Sequence, residues 1–76
     1  MSTRMDAQAQ VAEILLTRIR NDRYPSWTEM AMLEDSLPTL PPKMTEAYLR
    51  VLLEKVVEDS RPSIPMLRHI QQLTAT

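Results

Sequence analysis

Apolar side chains recur along this chain every three or four residues, in four runs set apart by prolines. Within residues 7–21, Val11, Leu15 and Ile19 form one i, i+4 row, with Ala12 and Leu16 in the row beside it. Within residues 43–59 the pattern is broader: Tyr48, Leu52 and Val56 make one row, Leu49, Leu53 and Val57 the next, and Val51 widens the arc. Two shorter runs carry narrow stripes, Trp27, Met30, Leu33 and Leu37 in one and Ile64, Leu67, Ile70 and Leu73 in the other. This spacing keeps apolar groups on one side of a helix of 3.6 residues per turn. It predicts helices over 7–21, 27–36, 43–59 and 64–73. At about 100° per residue the two rows of the third helix span roughly half its circumference, so that helix is expected to be the most buried.

The prolines supply the breaks. Pro25, Pro38, Pro41, Pro42, Pro62 and Pro65 stand at or just beyond the ends of the four runs, where a missing N–H and a fixed φ do least harm to a helix. Sliding the chain against itself gives one good ungapped offset, of 37 residues, which lays residues 14–33 over 51–70. Leu15, Leu16, Asp22, Pro25 and Ser26 fall on Leu52, Leu53, Asp59, Pro62 and Ser63. Each half then reads as helix, D-x-x-P-S turn, helix. Ser26 and Ser63 are expected to cap the second helix of each pair, and Ser26 with Glu29 makes a capping-box sequence. Asp22 and Asp59, at helix C-termini where a carboxylate opposes the dipole, are expected to bond to the turn backbone. The fold class that follows is all-α. Four short helices form two tandem hairpins, 7–37 and 43–73, joined by the stiff linker 37–42 into one compact bundle, with disordered tails at 1–6 and 74–76.

Composition narrows what such a bundle can do. With 76 residues, only about 60% of the unfolded chain's surface is buried on folding, and small domains usually recruit disulfides, metals or a partner subunit to compensate. There is no Cys and a single His, His69, so disulfides and thiolate zinc sites are excluded, and no calcium-loop motif is present. The absence of Gly removes the glycine-rich phosphate loops. No cofactor and no metal are expected. No apolar run approaches the roughly 18 residues that span a bilayer, and the first ten residues lack the features of a signal or transit peptide, so a soluble, cytoplasmic protein without a membrane partner is expected.

Catalysis has few candidates. Ser26 and Ser63 are caps, His69 beside Arg68 reads as a solvent-side residue near a helix C-terminus, and Asp22 and Asp59 each belong to their own turn, so the chain is read as no enzyme. The surplus apolar surface instead points to a protein partner or a second copy. Leu16, Leu53, Val57, Met32, Met66 and Tyr24 are the candidate contact residues, methionines being common on adaptable surfaces and aromatics serving as anchors. The expected function is a small, self-associating interaction or adaptor module. The alternative is a nucleic-acid-binding regulator in which the third helix, the turn and the fourth helix present Arg61, Arg68, His69, Gln71 and Gln72 to phosphates and base edges. Nine basic against ten acidic residues, interspersed, supply no global field for that second reading.

Overall fold

The computed structural model describes residues 3–59 and 63–75. It is all-α: α1 (Thr3–Asn21), α2 (Trp27–Ser36), a 3₁₀ turn (Leu37–Thr39), α3 (Pro42–Glu58) and α4 (Ile64–Thr74). Two of the four starts are set by serine caps, as expected. The Glu29 N–H donates to Ser26 Oγ at 3.3 Å and the Met66 N–H to Ser63 Oγ at 3.2 Å, each serine sitting in extended backbone just ahead of its helix. Only half of the capping box forms. The Glu29 carboxylate, instead of turning back to Ser26, accepts from Arg18 Nε across the α1–α2 contact. Asp22 and Asp59 close α1 and α3 through their backbone, their N–H groups donating to the carbonyls of Arg18 and Lys55 at 3.1 and 3.2 Å. Pro25 is half-buried in the first turn, while Pro62 lies outside the described residues.

Two boundaries differ from expectation. α1 begins at Thr3, so residues 3–6, expected as tail, are helical; Ala, Gln and Arg favour that state and Asp6 in the first turn complements the helix dipole. At the other end α4 continues to Thr74, whose hydroxyl donates to the Ile70 carbonyl at 3.0 Å. The linker is shorter than expected as well. Pro38 lies within the 3₁₀ turn, Pro42 opens α3, and Leu37 and Leu40 pack against the core.

α1 packs on α2, α3 on α4, and the two pairs meet chiefly through α1 and α3. Among the described residues no Cα of α2 comes within 8 Å of one of α4. The core is one cluster in which Ile19, Leu33, Tyr48 and Leu52 are completely buried, with Ala12, Met30, Leu15, Leu16, Val51, Met66 and Ile70 around them. A further tie joins the long helices: Lys55 Nζ donates to the Arg20 carbonyl at 2.8 Å, placing an ammonium at the negative end of α1.

The two helix pairs do not pack as copies of one another. Offset by 37, Leu15 and Leu52 are both buried, as are Leu33 and Ile70. Leu16, however, is 8% exposed where Leu53 is 50% exposed, and Ile14 is 60% exposed where Val51 is buried. Met30 is buried while Leu67 at its matching position is exposed, and the neighbouring Met66 fills the core instead. The core face of α3 is thus turned by about one residue, roughly 100°, relative to that of α1. Of the fully buried side chains α1 supplies four and α3 three, while six more on α3 are half-buried.

Candidate interaction surface

The six residues expected at a partner surface divide between core and exterior. Leu16 and Met66 belong to the core cluster and are removed from any free surface. Leu53 and Val57 stand one turn apart on the outer side of α3, Val57 with 84% of its surface open to solvent. Met32 is half exposed on α2, and Tyr24, 72% exposed in the first turn, carries the Arg23 guanidinium 5.7 Å above its ring. These exposed groups lie on three different elements, and only the α3 pair forms a row along one helix.

The face of α3 opposite its core side can be built residue by residue. Tyr48, Val51 and Leu52 point inward, so Glu46, Arg50, Leu53 and Val57, about 140–200° away around the helix, point outward. Leu49, half-buried, borders this face on one side and Glu54, exposed, on the other. The result is a short apolar row with charged neighbours along one flank.

A polar node that the sequence pattern did not single out holds the opposite side of the molecule. The Glu34 carboxylate on α2 accepts from the Tyr48 hydroxyl on α3, and the same oxygen, Oε2, lies 2.6 Å from His69 Nε2 on α4. The edge of the Trp27 ring meets His69 at 5.2 Å between centroids, 87° between planes. His69, expected on the solvent side, is therefore half-buried and joined to α2. In the folded chain Glu34 follows buried Met30 by four residues and His69 follows buried Met66 by three, which turns both toward the core. Burial pushes the Tyr48 phenol well above its ordinary range, and its hydrogen bond to Glu34 and that carboxylate's charge push the same way.

This shift carries a sign for stability. A phenol favoured in its neutral form by the fold contributes fully below its unfolded pKa near 10, and the contribution falls as pH rises beyond it. Above pH 10 the wild-type chain is expected to lose stability faster than Tyr48→Phe, by at most about 1.4 kcal/mol per pH unit. Urea unfolding of both chains between pH 8 and 11 checks it; parallel curves would exclude the effect.

Of the residues assigned to nucleic acid, Arg68, Gln71 and Gln72 are exposed on α4, His69 is engaged by Glu34, and Arg61 lies outside the described residues. A cleft between the helix-pair ends is lined by Tyr24, Trp27, Val56 and Met66 together with Arg23 and Lys55. Ser63, also in its wall, caps α4, and His69 is not among its described lining residues. Among the described residues no three His, Asp or Glu side chains converge on a metal position, and no helix is long and apolar enough to cross a membrane. Set beside known family models, curated proteins and solved structures, the chain matches none of them, and its function has to be read from its own side chains.

Proposed function

We propose that this chain is a small, non-enzymatic protein-interaction module whose contact surface is the outer face of α3. One observation carries the reading: Leu53 and Val57 stand in water one turn apart, on a helix whose opposite face is already committed to the core. Burying a fully exposed side chain of this size is worth about 1.5–3 kcal/mol, and Leu53 and Val57 keep much of that for a partner. Glu34, Tyr48 and His69 are engaged in the node and Ser26 and Ser63 in caps, which supports a non-enzymatic reading. The reading assumes a cytoplasmic setting, where the partner is met in solution.

A photo-crosslinking amino acid replacing Val57, compared with the same group replacing the exposed Thr28 of α2, tests this in living cells. A protein adduct from position 57 and none from position 28 is the expected result. No protein adduct from position 57 removes the interaction reading.

A further inference from the structure

We propose that the partner at this surface is a second copy of the chain, its α3 packed antiparallel to the first about a twofold axis at the height of Val51 and Leu52. The proposal rests on the outer face of α3 being the contact surface and adds which partner covers it and in what register. The reason is self-complementarity. Two antiparallel helices related by a twofold axis bring residues i and j together when i and j sum to a constant, and the axis turns like flanks toward each other. On the apolar flank stand Leu49 and Leu53; on the charged flank stand Arg50 and Glu54. Both pairs are four residues apart. The midpoints of the two pairs are residues 51 and 52, so one axis between them sets Leu49 against Leu53 of the second copy, and Arg50 against Glu54 of the second copy, each pair about 1.5 Å off level.

The symmetry makes every contact twice, so the interface holds two leucine pairs and two ion pairs. At the ends, Val57 meets the aliphatic stem of Glu46 from the second copy, and that carboxylate reaches past it to water. A parallel arrangement fails on charge, because it sets Arg50 against Arg50 and Glu46 against Glu46 along the seam. Size sets the strength. A helix of 17 residues is about 25 Å long, and a single helix-on-helix contact of that length stays below the roughly 1,200 Å² of a standard interface. The dimer is accordingly weak, with a Kd on the order of 100 μM.

Sedimentation equilibrium of the full chain from 10 μM to 1 mM tests partner and register together. The wild-type chain is expected to pass from monomer to dimer over this range. Arg50→Glu alone and Glu54→Arg alone each place like charges together at two points, and each is expected to weaken self-association at least tenfold. An equimolar mixture of these two variants brings an all-acidic flank against an all-basic one, and is expected to restore the dimer; so is the double variant Arg50→Glu/Glu54→Arg. Thermal melts followed by circular dichroism confirm that each variant remains folded, both exchanges lying at exposed positions. A wild-type chain that is strictly monomeric at 1 mM, a dimer indifferent to both reversals, or a mixture that fails to regain the dimer overturns the proposal. If self-association is absent while the crosslinker at position 57 captures a different protein, the interaction module stands and the second copy falls; if neither is seen, both fall.

Discussion

Glu34→Ala is expected to cost this protein about 3 kcal/mol of stability, more than any other exchange of a single polar side chain. The Tyr48 hydroxyl that Glu34 accepts from belongs to a residue with no exposed surface, so its loss leaves a buried donor with no acceptor, at about 1–3 kcal/mol. His69 loses its carboxylate in the same step, and with it the polar link between α2 and α4, which leaves the Trp27–His69 ring contact. A domain of this size has a total stability of roughly 4–11 kcal/mol, which makes the loss a large part of the whole. Glu34→Gln keeps an amide oxygen in place and should cost far less, about 1 kcal/mol. Tyr48→Phe removes donor and hydroxyl together, so in a double-mutant cycle with Glu34→Ala the two losses should fall short of their sum by 1 kcal/mol or more. Urea unfolding followed by circular dichroism reads all four chains. A Glu34→Ala chain within about 0.5 kcal/mol of wild type would mean that the node is ornament rather than support.

What the sequence made legible was local. The start and end of α2 and the start of α4 were readable because a serine cap and a proline act on the residues beside them, whatever the rest of the chain does. The first turn of α1 lies ahead of the apolar rows that begin at Val11, so spacing gives it no signal and only helix preference marks it. The node was missed for a different reason. Glu34 and His69 each look like a polar side chain beside an apolar stripe, and only the pairing of three helices shows that each answers the other. Glu29 shows the same limit in reverse: the local motif assigned its carboxylate to Ser26, and Arg18, eleven residues away in sequence, took it. The exposed row on α3 lay between these cases. Its surplus of apolar positions was plain from spacing, but which of the two rows faced inward depended on how α3 turns against α1.

That turn gives the second large effect. Leu52→Ala is expected to cost about 2–5 kcal/mol, since Leu52 is completely buried and its removal leaves a cavity between helices that cannot fully close. Leu53→Ala, one residue on, should cost under about 1 kcal/mol, its side chain already half in water. The informative comparison is with Leu16, which matches Leu53 at the offset of 37 yet sits in the core, so Leu16→Ala should behave like Leu52→Ala. Urea unfolding at about 5 μM, where self-association through α3 does not contribute, separates the cases. Equal losses at Leu16 and Leu53 would mean that the sequence repeat governs packing after all and that the rotation of α3 is wrong. Unequal losses would place the divergence between the halves in the one helix that has released a leucine from its core, and a side chain freed in this way can contact another chain while removing little from the fold that carries it.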